Sequence, residues 1–323
     1  MVLKNTRTSV IPVFFAVDDR YVPHLHVALR SLIDHTCASY TYRIHILYDT
    51  LSEDSRASLA SLALGNVEIY FTDVTARLVS ICDKLHLRDY YSQTTYYRFF
   101  IPALFPEYER GVYLDCDIVL NRDVADLYRV PMGASLVSAI VEEVISDIDV
   151  FGEYAEEVLH ISRNAYFNAG ILVMNLTEMR RIRLEEQFVR LLEKRTYRVA
   201  QDQDYLNVLC RDRVMLLPKL WNKTPMSNSD ESIMPYIVHY KINFKPWRYD
   251  GIPYAEYFWD YAERTPYAEF FRNMKATYSE AERARDRAQY ESLEALAAEQ
   301  TREARTLRVG EMASFGRISE VLL

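Results

Sequence analysis

The stretch Ser9-Val-Ile-Pro-Val-Phe-Phe-Ala-Val17 is mostly apolar, and three charged residues, Asp18, Asp19 and Arg20, follow it directly. A short apolar run that ends abruptly in charges is typical of a strand buried inside a sheet. The run has no small-residue cleavage site, so we interpret it as a strand rather than as a signal peptide. Because no apolar run in the chain reaches the roughly 18 residues of a membrane span, we expect no transmembrane segment.

Strands and helices alternate along the chain that follows. Apolar periodicity predicts strands at residues 13–17, 43–47, 67–71, 111–114, 136–141, 169–174 and 236–239. It predicts helices at about 23–33, after Ser52, and over 95–104, 176–194 and 202–210. This rhythm predicts an α/β fold with a Rossmann-like, mainly parallel sheet that helices cover on both faces. In such sheets ligands bind beyond the carboxyl ends of the strands.

The composition excludes several classes of protein. The chain has 323 residues, of which 50% are hydrophobic and 26% charged, as in a globular protein rather than a disordered chain. Its 38 basic and 46 acidic residues leave a net charge of −8, so we expect no nucleic-acid partner. The four cysteines form no C-x-x-C pair, which fits a reducing, cytoplasmic location.

The last part of the chain has a different character. Residues 276–323 are rich in Arg, Asp, Glu and Ala, which predicts a long helix. Two interpretations stand side by side, a solvated helical tail and a helix for self-association or peripheral contact with a membrane surface. The second interpretation depends on the apolar end of the chain, which contains Ile318, Val321, Leu322 and Leu323.

The strongest chemical signal is Gly111-Val-Tyr-Leu-Asp115-Cys-Asp117-Ile-Val119, in which two carboxylates follow a buried strand. The alternation of side chains along a strand places Asp115 and Asp117 on the same face. Two such carboxylates repel each other unless a cation lies between them, and the hard divalent ions that bind carboxylates also bind phosphate oxygens. The pattern therefore predicts a site for a divalent metal and a phosphorylated ligand. The alternative is a strand end with two solvated aspartates.

Two later segments add candidate ligands. His239 ends a predicted strand and could add an imidazole nitrogen to the two carboxylates, a ligand set that favours Mn²⁺ over Mg²⁺. Lys245 could supply the local cation that a diphosphate needs in an acidic protein. The oxygens of Asp202, Gln203 and Asp204 could bind sugar hydroxyl groups, although these residues also suit the N-terminus of a helix.

These motifs together resemble glycosyltransferase family 8, the retaining bacterial α-galactosyl- and glucosyltransferases that are also related to glycogenin. The resemblance covers residues from about 11 to 247 and depends on six motifs in the expected order. They are Asp18-Asp19-Arg20-Tyr21, Tyr97-Arg98, Leu114-Asp-Cys-Asp117, Tyr166-Phe-Asn168-Ala-Gly170, Asp202-Gln203-Asp204 with Leu206-Asn207, and His239-Tyr240 with Lys245-Pro-Trp247.

The resemblance implies a GT-A fold, a UDP-hexose donor and a bound Mn²⁺ ion, with Mg²⁺ as the alternative. It implies a GT-A domain over residues 1–264, with a nucleotide-binding half of about 1–120 and an acceptor half of about 121–264, and a helical extension over 265–323. The implied metal ligands are Asp115, Asp117 and His239. The implied donor contacts are Asp18 and Tyr21 to the uridine, Arg98 and Asp115 to the donor, Asn168 and Asp202 to the transferred sugar, and Lys245 to the diphosphate, with Gln203 beside the anomeric carbon.

The chain departs from the family pattern at two positions. The family often has Asn where this chain has Arg20. It also commonly has a glycine between His239 and Lys245, where this chain has the bulky Ile242. We therefore expect the loop that closes over the donor to differ here.

The reaction implied is a metal-dependent, retaining transfer of glucose or galactose to a glycan or lipid-linked acceptor. Such acceptors belong to lipopolysaccharide or capsule synthesis, which places the protein in the cytoplasm or peripherally at the inner membrane face. Gln203 is a poor nucleophile, so same-face attack is favoured over a covalent intermediate on Asp202 or Asp204. Two other functions remain open. One is a sugar-nucleotide sensor or scaffold on the same fold, and the other is a haloacid-dehalogenase-type phosphatase, whose later Gly-Asp motif is absent from the sequence.

Overall fold

The computed structural model of the chain describes residues 9–79, 81–85, 93–225, 232–243 and 245–321. The described strands are β1 Ser9–Ala16, β2 Tyr40–Tyr48, β3 Val67–Asp73, β4 Arg110–Leu114, β5 Ile118–Leu120, β6 Val137–Val141, β7 Phe167–Asn175, β8 Val214–Leu216 and β9 Ile237–His239. Seven of them form one sheet in the order β3-β2-β1-β4-β7-β6-β8, and β5 pairs with β9 in a second, smaller sheet.

The large sheet is mainly parallel and partly mixed. β1 pairs in parallel with β2 and with β4, and β2 pairs in parallel with β3. β7 is antiparallel to both of its neighbours, β4 and β6, whereas β8 is parallel to β6. The mainly parallel sheet that the alternation of strands and helices predicted is therefore confirmed, and its mixed character agrees with the GT-A fold that the resemblance implied.

Helices cover both faces of this sheet. The α-helices are α1 Val22–Asp34, α2 Glu53–Ala60, α3 Thr75–Val79, α4 Ile101–Leu104, α5 Val124–Tyr128, α6 Glu143–Asp147, α7 Asp149–Glu157, α8 Leu176–Arg181, α9 Leu184–Lys194, α10 Asp202–Cys210, α11 Ala255–Ala262, α12 Ala268–Thr277 and α13 Glu280–Val321. Short 3-10 helices lie at Asp19–Tyr21, Cys82–Lys84, Gln93–Phe99 and Lys219–Asn222. Every helix within the described ranges is too short or too polar to cross a membrane.

Two apolar cores lie on the two faces of the sheet. Side chains alternate along β1, so Val13 and Phe15 enter one core while Phe14 and Ala16 enter the other. All four side chains are buried. The strand is therefore covered on both faces, as its continuous apolar sequence predicted.

The small sheet brings distant parts of the chain together beside β4. β5 follows β4 closely and runs antiparallel to β9, so that Ile118 lies opposite His239. A third apolar cluster surrounds Val119 and Val238 of this small sheet and includes Trp247. The pairing thus carries His239 to the carboxyl end of β4, where a ligand is expected.

Two predicted helices are interrupted. The segment at 176–194 consists of α8 and α9, and the backbone between them passes through Arg183 with φ of 55°, a left-handed conformation that ends a helix. The aromatic segment at 95–104 is a 3-10 helix followed by α4, with Pro102 in the first turn of α4. In both places the apolar period continues across the interruption, so the pattern alone does not reveal it.

The first half of α13 packs against the rest of the protein, which neither interpretation of the tail anticipated. Ala297 is fully buried, and Tyr290 contacts Phe151 of α7 edge-on, with ring centroids 6.2 Å apart. Gln300 Oε1 accepts a hydrogen bond from the backbone N–H of Arg198 at 3.4 Å. At the apolar end of the tail, Leu322 and Leu323 lie outside the described residues, so self-association or membrane contact stays a prediction.

We predict that Ala297→Asp releases the first half of α13 from α7, because the new carboxylate would be buried without a partner. Hydrogen exchange followed by mass spectrometry should become at least about tenfold faster across residues 286–301 and stay unchanged in the central sheet. Leu307→Asp, at a position of the same helix that is 67% exposed, is the control. Unchanged exchange in Ala297→Asp would contradict this packing.

Candidate active site

Three side chains meet at the carboxyl end of β4. Asp115 follows β4, Asp117 precedes β5, and His239 ends β9. Each offers a ligand atom within 4.8 Å of the other two, and His239 Nε2 lies 3.1 Å from Asp117 Oδ1 and 3.7 Å from Asp115 Oδ2. The structure thus brings together the three residues that were expected to bind a metal ion.

The imidazole of His239 is held in the orientation that a metal ligand needs. Its Nδ1 lies 2.9 Å from Asn222 Oδ1, and Asn222 Nδ2 donates to Asn168 Oδ1 at 2.8 Å. Because Nδ1 donates to the amide oxygen of Asn222, Nε2 is the nitrogen that faces the two carboxylates. This outer hydrogen bond fixes the ring without occupying the atom that would bind a cation.

The backbone of β7 leaves space for the cluster at Gly170. A Cβ atom at this position would lie 2.4 Å from Asp115 Oδ2 and 2.4 Å from His239 Cε1, closer than side chains can approach. The backbone N–H of Gly170 donates to Asn168 Oδ1 at 2.9 Å. Two carboxylates and an imidazole nitrogen that converge over a glycine form a donor set that fits a divalent ion such as Mn²⁺.

Lys245 compensates part of the negative charge. Its Nζ donates to Asp117 Oδ2 at 2.5 Å and also to the backbone oxygen of Tyr240. Burial by itself would raise the pKa of Asp117, but the interactions with Lys245 and His239 together outweigh this effect and hold that pKa well below its usual range. Asp117 is therefore ionised at neutral pH.

Arg98 connects the carboxylate cluster, which consists of Asp115 and Asp117 with His239, to the first turn of α10. Its Nη2 donates to Asp115 Oδ1 at 3.2 Å, and its Nε lies 3.3 Å from Asp202 Oδ2. The guanidinium lies over the ring of Tyr113, 4.4 Å from the centroid, and the Tyr113 hydroxyl donates to Asp115 Oδ1 at 2.9 Å. Arg98 is only 2% exposed, so solvent screens its charge weakly.

Asp115, Asp117 and His239 line a cavity, and Gln203 lines it as well. Three hydrogen bonds hold the side chain of Gln203. Its Oε1 accepts from the backbone N–H of Ala169 at 2.9 Å and from Asn168 Nδ2 at 3.2 Å, and its Nε2 donates to the Tyr166 hydroxyl at 3.3 Å. The chain enters α10 through Gln201, whose φ of 48° is left-handed and strained. This strained entry sets the direction of the turn that carries Gln203.

Asp204 lies behind the lining of the cavity and is fully buried. Its carboxylate accepts hydrogen bonds from the Tyr166 hydroxyl at 2.7 Å, the Tyr154 hydroxyl at 2.8 Å and the backbone N–H of Ala200 at 2.8 Å. Through Tyr166 it supports the hydroxyl that contacts Gln203. The catalytic role expected for Asp204 stays a prediction, and its contacts are those of a positioning residue.

The residues expected to bind uridine lie at the carboxyl end of β1. Asp18 accepts hydrogen bonds from the backbone N–H groups of Arg20 and Tyr21 at 3.0 and 3.2 Å, and so caps the short 3-10 helix that follows it. Arg20 pairs with Asp18 Oδ2 at 2.8 Å, and its side chain is 80% exposed. Tyr21 lines the cavity and packs on His24 with ring centroids 4.7 Å apart. Tyr21 therefore shares one cavity with the carboxylate cluster.

Several residues of the cavity were not expected from the sequence. Glu142, just after β6, pairs with Lys241 and accepts a hydrogen bond from Asn168 Nδ2 at 2.6 Å. Its place at the carboxyl end of a predicted strand was a usable signal. Asn222, which lies behind His239, and the cavity-lining Tyr290 and Leu293 of α13 carry no such signal, because only tertiary packing brings them to the site.

Comparisons with known proteins identify a family. A family model described as glycosyl transferase family 8 matches residues 12–251. This span contains every residue expected to bind the donor or the metal, and it ends before α11. The match favours a transferase over the phosphatase alternative.

Individual relatives match this chain at low sequence identity but over much of its length. A protein of Haemophilus influenzae that is assigned as a glycosyltransferase is 25% identical over 220 residues, which cover 68% of this chain and 64% of that protein, less than two thirds of its length. The lipopolysaccharide 1,2-glucosyltransferase of Escherichia coli is 24% identical over 294 residues, or 82% of this chain and 81% of that protein. The apo structure of the bifunctional glycosyltransferase WbbM, at 27% identity, has a TM-score of 0.73 and covers 83% of this chain and 52% of that chain. This likeness confirms the expected GT-A-like fold.

We predict that Gly170→Ala separates the three candidate metal ligands while the domain stays folded, because the added methyl group would force Asp115 and His239 apart. Mn²⁺ should bind the variant at least about tenfold more weakly and should raise its Tm less than that of the wild type. Gly133→Ala is the control: an added Cβ there meets no atom within 4 Å, and the left-handed φ of 53° lowers the Tm of the metal-free variant without touching Asp115, Asp117 or His239. Equal stabilisation of the two variants by Mn²⁺ would contradict the prediction.

The two carboxyl groups in the first turn of α10 predict a pH dependence of stability. Burial raises the pKa of Asp202 to about 6 against the lowering effect of Arg98, and that of Asp204 to about 6 against its hydrogen-bond donors. Both groups bind protons more tightly in the folded chain than in the unfolded one. Their contribution to stability is therefore complete below about pH 4 and is lost as the pH rises through about 6.

Asp204→Asn should remove its share of this dependence. Between about pH 5 and 7.5, the free energy of unfolding should fall by about 1 kcal/mol less in the variant than in the wild type. Urea denaturation at the two pH values measures this difference, with Asp260→Asn at an exposed position of α11 as the control. Identical pH dependence in Asp204→Asn and the wild type would show that the buried carboxyl does not titrate in this range.

Proposed function

Because this chain belongs to glycosyl transferase family 8, we propose that it transfers glucose or galactose, with retention of configuration, from a UDP-linked donor to a glycan or lipid-linked acceptor. The observation that carries the proposal is the cluster of Asp115, Asp117 and His239 beside the buried Lys245 at the carboxyl end of β4. A nucleoside diphosphate leaving group needs a divalent ion and a local cation. This cavity offers residues for both.

The metal ion is part of the proposal. Asp115, Asp117 and His239 would hold it, and we propose Mn²⁺ because an imidazole nitrogen joins two carboxylates, with Mg²⁺ as the alternative. When bound, the ion would neutralise negative charge that develops on the departing diphosphate. Gly170 contributes the space that lets the three ligands converge.

Two basic side chains add positive charge from the chain itself. Lys245 Nζ lies 2.5 Å from Asp117 Oδ2, so a diphosphate oxygen bound beside Asp117 would be within reach of the same ammonium group. Arg98 bridges Asp115 and Asp202, which places its guanidinium between the carboxylate cluster and α10. We propose that Lys245 binds the diphosphate and that Arg98 orients the donor, so that both stabilise the leaving group as the bond breaks.

The uridine and the transferred sugar would occupy two sides of this centre. Tyr21 would stack on the uracil ring and Asp18 would accept hydrogen bonds from the nucleoside. Asn168 and Asp202 would bind the transferred sugar. In this arrangement the nucleotide-binding half covers about residues 1–120 and the acceptor half about 121–264, with residues 265–323 as the helical extension.

Attack by the acceptor on the same face of the sugar as the leaving group would retain the anomeric configuration without a nucleophile from the protein. The four carboxylates that line the described cavity are each paired with a basic group: Asp115 and Asp202 with Arg98, Asp117 with Lys245, and Glu142 with Lys241. An ion-paired carboxylate is a weakened nucleophile, so we propose that the acceptor oxygen bonds to the anomeric carbon directly. It would attack on the face from which the phosphate oxygen departs, and that phosphate oxygen would take the acceptor proton.

A covalent intermediate on Asp202 or Asp204 is the alternative mechanism. Asp204 is fully buried and Asp202 is 3% exposed, so either carboxylate would have to exchange its present contacts to reach an anomeric carbon. Gln203 already lines the cavity with its amide held by Ala169 and Asn168. We therefore propose that Gln203 contacts the sugar beside the anomeric carbon and orients it for attack.

The acceptor class is proposed from a relative. The Escherichia coli protein is named as a lipopolysaccharide 1,2-glucosyltransferase. By analogy we propose a surface glycan of the lipopolysaccharide or capsule type as the acceptor, and a cytoplasmic protein that works at the inner face of the membrane. Peripheral membrane contact or self-association through the end of α13 would be consistent with such an acceptor.

UDP release in the absence of an acceptor tests the class of reaction, because many transferases slowly hydrolyse their own donor. A panel of UDP-sugars is incubated with Mn²⁺ and, in parallel, with EDTA. We expect Mn²⁺-dependent release from UDP-glucose or UDP-galactose, and the better donor identifies the transferred sugar. No release from any donor, together with no UDP binding in calorimetry, would support a sensor or scaffold instead.

Asp117→Ala tests the metal site within this reaction. We expect loss of donor turnover by at least about a thousandfold with the circular dichroism spectrum retained, because one ligand of the ion and the partner of Lys245 are removed. Asp126→Ala, at a half-exposed position on α5 that pairs with Arg122, is the control and should keep full turnover. Mn²⁺-dependent turnover that persists in Asp117→Ala would overturn the metal assignment.

A further inference from the structure

The cavity beside the carboxylate cluster has two chemically different parts. One part is lined by the charged and amide side chains described above. The other, which we call the apolar wall, is formed by Val144, Ile145, Phe151, Ile242, Tyr290 and Leu293. Both parts belong to one continuous cavity, so a ligand that reaches Gln203 is also close to the apolar wall.

Helix α13 supplies two residues of the apolar wall from outside the family match. Tyr290 and Leu293 lie three positions apart on α13, on the same side of the helix and beyond residue 251. Tyr290 contacts Phe151 edge-on, and Asp286, one turn earlier, accepts a hydrogen bond from the Tyr249 hydroxyl at 2.8 Å. These contacts fix the helix with two apolar side chains facing the cavity.

Ile242 joins the apolar wall from a strained backbone position. Its φ of 63° is a left-handed conformation that β-branched residues rarely adopt. The flanking residues hold this conformation, since Lys241 pairs with Glu142 and Asn243 Nδ2 donates to the backbone oxygen of Asp286 at 3.2 Å. A bulky apolar side chain kept at such a position, in the lining of a cavity, indicates a role in ligand binding.

We propose that the apolar wall binds an apolar aglycone, so that the preferred acceptor is a glycoside whose sugar carries an alkyl or aryl group. A sugar or a diphosphate against this wall would leave hydroxyl groups or charges without hydrogen-bond partners. The UDP-sugar is polar along most of its length and matches the charged part of the cavity, which leaves the apolar wall to the acceptor. This inference builds on the proposed function and specifies the acceptor class.

Paired synthetic acceptors test the inference on the full-length protein. The panel consists of methyl and 4-nitrophenyl glycosides of glucose and of galactose in both anomeric forms. The two members of each methyl and 4-nitrophenyl pair differ only in the aglycone. With the preferred donor and Mn²⁺, we expect the KM of a 4-nitrophenyl glycoside to be at least about tenfold lower than that of its methyl counterpart. The two kcat values should be similar, because the aryl ring does not touch the reacting atoms.

A matched pair of variants assigns the preference to the apolar wall. Leu293→Asn places an amide in the wall and should reduce the KM ratio between methyl and 4-nitrophenyl glycosides to about threefold or less. Leu296→Asn is the control, since Leu296 is also half-buried on the same helix but is not among the cavity-lining residues. It should keep the wild-type ratio.

Equal KM values for methyl and 4-nitrophenyl glycosides in the wild type would overturn the inference, and so would a ratio that survives Leu293→Asn. If no glycoside of the panel is glycosylated, calorimetry in the presence of UDP and Mn²⁺ compares their binding, and equal binding of the two aglycones overturns the inference as well. Donor-only UDP release distinguishes failure of the proposed acceptor class from failure of the proposed transferase activity. Release without an aglycone preference contradicts only the acceptor class, whereas absence of release and of UDP binding contradicts the transferase.

Discussion

Repulsion between two neighbouring carboxylates is the constraint on which the site depends. Asp115 and Asp117 approach the same imidazole at the end of a buried strand, where their side chains are 27% and 14% exposed and water screens their charges only in part. The folded chain places a basic side chain beside each carboxylate, since Arg98 pairs with Asp115 and Lys245 pairs with Asp117. The charges are thus balanced within the folded chain, and the imidazole of His239 completes a donor set that a divalent ion can join.

The mixed sheet turns this local arrangement into a connected site. β7 runs antiparallel to β4, and so its start lies beside the end of β4. Asn168 and Gly170 on β7 then link two regions: Gly170 gives space to the carboxylate cluster, while Asn168 contacts both Asn222, behind His239, and Gln203. One hydrogen-bond network therefore runs from the metal side of the cavity to α10. A displacement of His239 or Asn222 on the metal side should therefore shift Gln203 on the side of α10.

The predictability of each feature from the sequence follows from the range of the interactions that create it. Strands such as β1 and the position of Asp115 were predictable, because a continuous apolar run and the charges after it are local signals. The break at Arg183 was not, since apolar residues continue on both sides of it. The packing of α13 was also missed: Ala297 is fully buried but contributes little hydrophobicity, so the segment looked like a solvated helix. Asn222 reaches His239 only through the folded chain.

We propose that Asp115, Asp117 and His239 form a metal site in a family 8 glycosyltransferase. The most direct test is anomalous diffraction from crystals grown with Mn²⁺ and UDP, recorded near the manganese absorption edge. We expect a single strong anomalous peak within bonding distance of both carboxylates and of His239 Nε2, with the diphosphate oxygens of UDP on its open side. A UDP-bound crystal with no anomalous peak at these three residues, or with the peak held by other residues, would show that they are not the metal site.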